Sequence, residues 1–146
     1  MPSRFVESRT RVRYKETDQM GIAHHSNYVV WFEIGRTDFC RVTGITYREI
    51  EARGMLLVVT EIGCRYRTPF AYDDEVLIRT SVAEAASRSL TFSYELFDAK
   101  GETLKASGFS THLWLDRETR RPAIADREVM KAFEPWMPEK KVTGDR

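Results

Sequence analysis

Between Asn27 and Val42 the chain reads Asn-Tyr-Val-Val-Trp-Phe-Glu-Ile-Gly-Arg-Thr-Asp-Phe-Cys-Arg-Val, and its apolar residues recur at helical spacing. Tyr28, Trp31, Phe32, Gly35, Phe39 and Val42 make one stripe, which Val29, Val30, Ile34 and Cys40 widen. A helix apolar over most of its circumference has to be wrapped by other elements, so the rest of the chain must enclose this one. Gly35 costs about 1 kcal/mol against alanine in a helix interior, and its presence predicts a strand backbone passing close by. Ser26 or Asn27 is placed to cap the N-terminus, and Gly44 ends the helix.

The flanking segments supply the wrapping. Phe5 to Tyr14 alternates loosely and predicts a half-exposed strand that ends at the Thr17–Gly21 turn. Thr46 to Arg53 reads as a shorter polar helix stopped by Gly54. The period then becomes two: Leu56, Val58, Thr60, Ile62, Cys64 and Tyr66 alternate with Leu57, Val59, Glu61, Gly63, Arg65 and Arg67, a long strand terminated by Pro69. Further strands are expected at Val76 to Ala85, Ser89 to Phe97 and Thr103 to Leu115, joined by the turns at Tyr72–Glu75 and Asp98–Gly101. After a charged loop from Asp116 to Pro122, Asp126 caps a short helix carrying Val129, Met130 and Phe133, which Pro135 and Pro138 end. The expectation is an α+β domain over residues 1–138, with a curved antiparallel sheet of about five strands around a long central helix and a flexible tail over 139–146. Such a sheet keeps an open edge, which self-pairing into a dimer covers.

Charge and residue counts narrow the function classes. With 23 Lys and Arg against 22 Asp and Glu the formal net charge is +1, so no global field points to nucleic acid or a membrane surface. No basic-then-apolar leader follows Met1, and no apolar run approaches the ~18–20 residues of a spanning helix. Cys40 and Cys64 lack a Cys-x-x-Cys pattern and read as free thiols in a reducing compartment, so a cytoplasmic protein is expected. His24, His25, His112 and the two cysteines show no metal-ligand spacing, and no Gly-rich phosphate loop is present; neither a metal nor a cofactor is expected. Cys40, inside the core helix with no activating partner in view, does not read as a nucleophile.

The chemistry-bearing pattern is Tyr14-x-x-Thr17-Asp18-x-x-Gly21-x-x-x-His25-x-Asn27-Tyr28, which opens the apolar helix. Together with the element order, it resembles the hotdog-fold acyl-CoA thioesterases over about residues 8–135, with the 4-hydroxybenzoyl-CoA thioesterase group and the YbgC-like branch as the nearest look-alikes. The resemblance implies that Asp18 is the catalytic carboxylate and that His25 and Tyr14 match positions implicated in the YbgC-like branch. It also implies a homodimer with two active sites at the subunit interface, often paired further into a homotetramer. Gly21, Asn27 and Tyr28 complete the motif and are expected to contact substrate. One departure stands out: relatives commonly carry small residues or proline after the aspartate, whereas this chain has Gln19-Met20, which predicts an altered pocket floor.

Thioester hydrolysis needs an attacking group, a donor for the developing oxyanion and a grip on the coenzyme A tail. Asp18 could attack the carbonyl or activate a water; an Asx-type turn is the plain alternative for the same residue. His25 is placed to donate to the carbonyl or to orient Asp18, while first-turn N–H groups and the helix dipole would polarise the carbonyl. Glu33 reads either as a polar group reaching the site or as part of a surface stripe with Arg36 and Thr37. For the phosphates the candidates are Arg65 and Arg67 on one strand, and Arg88 with Ser89 at the next hairpin, a segment that matches a phosphate-contacting one in the thioesterase group. The expected substrate is a thioester of coenzyme A or of acyl carrier protein. Two alternatives are a dehydratase or hydratase on acyl thioesters, for which His25 with Glu33 would be the signature, and a non-enzymatic acyl-CoA-binding module.

Overall fold

The computed structural model describes residues 4–138; the expected tail at 139–146 lies outside the described residues. The apolar segment forms helix α1 (Asn27–Thr43), which buries Tyr28, Trp31, Phe32, Gly35, Arg36, Phe39 and Cys40 and ends on Gly44 at φ 92°. Five strands wrap it: β1 (Val6–Arg11), β2 (Met55–Tyr66), β3 (Glu75–Ala85), β4 (Ser89–Phe97) and β5 (Leu104–Asp116). They form one sheet in the order β1-β3-β4-β5-β2, every pairing antiparallel. This is the hotdog arrangement, with the expected exposed edge on β2, where Val58, Val59 and Ile62 all face solvent.

Aromatic side chains lock helix to sheet. Phe32 stacks on Tyr94 with centroids 4.4 Å apart, and Phe39 meets Phe92 edge-on at 5.5 Å. A strand does press close at Gly35, through side chains instead of the expected backbone: a Cβ there would sit 2.8 Å from Ile78 Cγ2 and collide with Thr80 Oγ1. Helix α2 (Tyr47–Ala52) starts in a capping box, with Glu49 N–H donating to Thr46 Oγ1 at 3.2 Å. Helix α3 (Arg127–Phe133) is capped by Asp126 and covers the far end of α1, Phe133 stacking parallel to Phe39 at 6.1 Å.

Three local expectations are corrected. Strand β1 stops at Arg11, and Tyr14–Glu16 is a 3-10 turn instead of strand, because the Glu16 carboxylate folds back to accept the Arg13 N–H at 2.7 Å. Neither Ser26 nor Asn27 caps α1 through its side chain. The Ser26 hydroxyl meets His24 Nδ1 at 2.8 Å, and the Asn27 amide donates to the carbonyls of Glu16 and His24 at 2.9 and 3.1 Å. Finally, Pro135 does not stop the last helix outright but sits inside a 3-10 turn, Glu134–Trp136, that carries Trp136 onto Phe39.

A polar file runs through the core. Tyr94 OH pairs with Ser110 Oγ, which lies 2.8 Å from His112 Nε2. His112 is fully enclosed, and desolvation reinforced by the nearby Arg36 charge holds its pKa down to about 4. The unfolded chain therefore binds a proton near pH 6.5 that the folded chain refuses until about pH 4, so stability falls as pH falls through that window. The expected loss is on the order of 3 kcal/mol at full protonation. Urea midpoints measured from pH 7 to 4 should show this decline, and His112→Asn should flatten it.

Candidate active site

The loop between β1 and α1 is built around a tight turn. Asp18 N–H donates to the Ile22 carbonyl at 2.9 Å, Gly21 N–H donates to the Asp18 carbonyl at 3.0 Å, and Gly21 adopts φ 80°, a conformation glycine accepts without strain. The Asp18 carboxylate takes part as an Asx turn, its Oδ1 accepting the Met20 N–H at 2.8 Å. The loop is pinned to the sheet side by Ala23 N–H donating to Phe70 O at 2.8 Å and by an Ile22–Ala71 bridge. Behind it, Glu16 is buried. Burial alone would raise its pKa, but the Arg13 N–H and guanidinium outweigh that and keep the carboxyl below its usual value.

Asp18, His25, Tyr28 and Arg67 line one cavity of about 300 Å³. Its other walls are Ile22, Ala23, Tyr66, Thr68 and Pro69. Tyr66 ties the strand end to the loop: its hydroxyl donates to the His25 carbonyl at 3.0 Å and its ring meets Tyr28 edge-on at 4.7 Å. Burial first, then the neighbouring Cys64, pushes that hydroxyl up to about 12, so it stays a donor across the working pH range. The His25 ring has two aromatic neighbours, His24 at 4.1 Å and Tyr66 at 6.4 Å. The N–H groups of Asn27 and Tyr28 already donate to the His24 and His25 carbonyls at 3.0 and 3.3 Å. Those two first-turn donors are therefore engaged within the chain, and the helix dipole, about half a unit of positive charge, acts at this end as a field.

Several residues singled out from sequence lie elsewhere. Tyr14 is 78% exposed and packs edge-on against Tyr72 at 5.6 Å, outside the cavity lining. Gly21 forms the turn and Asn27 ties the loop to the helix, as described above. Glu33 faces solvent and pairs with Arg36 at 3.9 Å, so the His25–Glu33 pair of a dehydratase is not assembled in this cavity. Arg65 borders a different hollow of about 600 Å³, with Glu95, Ser107 and Phe109 among its walls. Arg88 and Ser89 sit at the opposite end of the sheet. The register carries Ser89 through Leu113 to Val58, and Val58 to Tyr66 spans roughly 25 Å at the rise of a strand. Met20 is 79% exposed and neither it nor Gln19 lines the cavity, which corrects the expected change in the pocket floor.

The walls that sequence reasoning missed, Ile22, Ala23, Tyr66, Thr68 and Pro69, share one cause. Each is ordinary as a residue type and gains its place from the crossing of the loop over the end of β2, which no local period encodes. Tyr66 carried the only available signal, an aromatic at the end of a strand close to a proline stop.

Among the described residues no group of three or more His, Cys, Asp or Glu is arranged to hold a metal ion, and no helix is long and apolar enough to cross a membrane. Both cysteines are free; burial pushes Cys40 up to about 12 and raises Cys64 as well. Iodoacetamide at pH 8 should therefore label Cys64 slowly and Cys40 only after unfolding, as peptide mass spectrometry would read directly.

Residues 12–133 match the thioesterase-like superfamily. The chain is 34% identical over 125 residues to YneP of Bacillus subtilis, covering 86% of this chain and 87% of that protein. It is 29% identical over 94 residues to the acyl-CoA thioester hydrolase YbgC of Escherichia coli, covering 64% of this chain and 70% of that one. Among solved structures, the DHNA-CoA thioesterase of Staphylococcus aureus superposes with a TM-score of 0.84 at 29% identity, covering 90% of this chain and 89% of its own. Fold, family match and relatives agree: the chain belongs to the thioesterase-like superfamily and is a thioester hydrolase.

Proposed function

We propose that this protein hydrolyses acyl-CoA thioesters to the free acid and coenzyme A, with Asp18 as the reacting carboxylate. The observation that carries the reading is the single cavity at the N-terminal end of α1 that Asp18 and His25 line together. In one route Asp18 takes a proton from water, the resulting hydroxide adds to the carbonyl, and the C–S bond breaks to release the thiolate. In the other, Asp18 itself adds, the thiolate leaves, and water hydrolyses the acyl–Asp18 anhydride. A thiol of pKa about 8.5 leaves readily, so no strong general acid is required. His25 donates to the carbonyl oxygen, and the positive end of α1 favours the negative charge that develops there. Tyr14, exposed and packed on Tyr72, has no part in this mechanism.

Arg67, at the rim of the same cavity, is the protomer's own candidate for the coenzyme phosphates. Arg88 and Ser89 fit the proposal through a second copy. If two chains pair antiparallel along their open β2 edges, the Met55 end of one strand meets the Tyr66 end of the other. The partner's Arg88–Ser89 hairpin, two strand spacings or about 10 Å in from its edge, then comes to the Asp18 end of this chain. A homodimer built this way, doubled into a homotetramer, with a cytoplasmic home suited to two free thiols, completes the reading.

The test is to incubate the protein with acetyl-, butyryl-, decanoyl- and benzoyl-CoA and with an acylated acyl carrier protein, following free thiol. Thiol release from the coenzyme A esters supports the proposal. Release from the carrier protein alone moves the substrate class, an enoyl product without thiol makes the protein a dehydratase, and binding without turnover makes it a binding module. Single-turnover hydrolysis in ¹⁸O-water separates the two routes, since label in Asp18 requires the anhydride.

A further inference from the structure

The residue before the site histidine is itself a histidine, and the structure holds it more firmly than His25. The His24 backbone is fixed on both sides: its N–H donates to Glu16 O at 2.8 Å, and its carbonyl accepts from Asn27 N–H at 3.0 Å and from the Asn27 amide at 3.1 Å. Its ring is fixed as well. Nδ1 accepts the backbone N–H of Ser26 at 3.2 Å and lies 2.8 Å from the Ser26 hydroxyl. A backbone N–H is always a donor, so Nδ1 carries a lone pair and the neutral ring bears its proton on Nε2. The His25 ring, by contrast, has no side-chain hydrogen bond among the described residues. What holds it is packing: the His24 ring at 4.1 Å and 33°, and the Tyr66 ring at 6.4 Å and 87°.

We propose that His24 is a positioning residue for His25: an imidazole clamped by Ser26, whose face fixes the rotamer of the ring that addresses the thioester carbonyl. The inference rests on the role given to His25 above. The two histidine rings are in contact, and Ser26 anchors one of them through Nδ1. The arrangement divides the labour, with His25 free at its ring nitrogens for substrate and His24 committed to the loop. A displacement of even 1 Å in a group that must meet a reacting atom costs up to about 10²-fold in rate.

The test is steady-state hydrolysis of butyryl- and benzoyl-CoA by the full chain and its variants. His24→Ala should lower kcat about tenfold and leave KM within about twofold, because the loss falls on orientation in the transition state and not on binding. His24→Phe keeps the stacking face and should recover most of kcat. His24→Asn keeps an acceptor for the Ser26 N–H but has no ring, and should stay as low as His24→Ala. In a His25→Ala background, His24→Ala should cost nothing further. Recovery by His24→Asn and not by His24→Phe would make His24 a turn former only and overturn the inference, as would a wild-type kcat for His24→Ala beside an inactive His25→Ala. Full activity in His25→Ala would overturn the role of His25 and this inference with it. Independent of turnover, long-range ¹H–¹⁵N spectra should show wild-type His24 protonated at Nε2 and His25 ring signals that broaden in His24→Ala. A proton on Nδ1, or His25 signals identical in all variants, would overturn it.

Discussion

Asp18→Asn should lower kcat for thioester hydrolysis by about 10²- to 10⁴-fold, the range that a positioned base typically contributes. The substitution is chosen because it separates the turn that Asp18 holds from the reacting role proposed for it. Its Oδ1 holds the turn by accepting the Met20 N–H, and an asparagine carbonyl accepts the same bond. What asparagine cannot do is take a proton from water or displace a thiolate. The variant should therefore keep the wild-type melting temperature and circular dichroism while losing turnover, with KM little changed. Wild-type turnover in Asp18→Asn would remove the carboxylate from the mechanism. Equal losses of turnover and melting temperature would assign Asp18 to the turn alone.

The largest structural effect is expected at Gly108→Ala. Gly108 lies on β5 opposite Cys64 of the edge strand, beneath the buried ring of Phe32. A Cβ there would lie 2.6 Å from two Phe32 ring carbons and would collide with the Gly63 carbonyl oxygen. Neither neighbour yields cheaply. Phe32 is already stacked on Tyr94, and the Gly63 oxygen is backbone within the β2–β5 ladder. Overpacking of this kind costs about 1–3 kcal/mol and occasionally more, and the rigidity of both neighbours places Gly108→Ala at about 3. For a chain of this size that lowers the melting temperature by roughly 10 °C. Because β2 also carries Tyr66, any shift of the edge strand should disturb the site as well, so hydrolysis should fall at temperatures where the variant is still folded. A melting temperature within about 2 °C of wild type, read by calorimetry, would show that β2 and Phe32 move aside.

The fold was legible because its two signals were strong and different. A helix apolar on nearly all sides demanded a wrap, and the alternation from Leu56 onward supplied strands to provide it. Gly35 carried packing information of its own, since a costly residue in a helix interior marks the place where Ile78 and Thr80 press closest. Where reading failed, side-chain hydrogen bonds within the loop had displaced the preference read from the pattern. The alternation through Tyr14 suggested strand, but the Glu16 carboxylate captured the Arg13 N–H and closed a turn. Ser26 and Asn27 carry capping side chains, but both are used on His24 and Glu16.

The site was half legible for a related reason. Asp18, His25 and Tyr28 belong to the motif that carries the family resemblance, along one loop and the start of one helix, and they do share a cavity. Arg65 and Arg67 looked equivalent, two apart on one strand, yet β2 ends at Tyr66. Arg67 accordingly turns to the Asp18 cavity, while Arg65 stays with the sheet surface. Glu33, the helix residue considered as a polar group reaching the site, faces water.

The loop position of the Asp18 turn has a consequence for how such an enzyme changes its substrate. Gln19 and Met20 project into solvent, and Ile22, Thr68 and Pro69 form cavity wall without belonging to the fully buried core. Substitutions outside the core usually alter stability by no more than about 0.5 kcal/mol. That stretch of cavity wall is therefore open to wide sequence search at little risk to folding. A library randomised at those three wall positions should return mostly folded proteins, so that selection acts on what they hydrolyse.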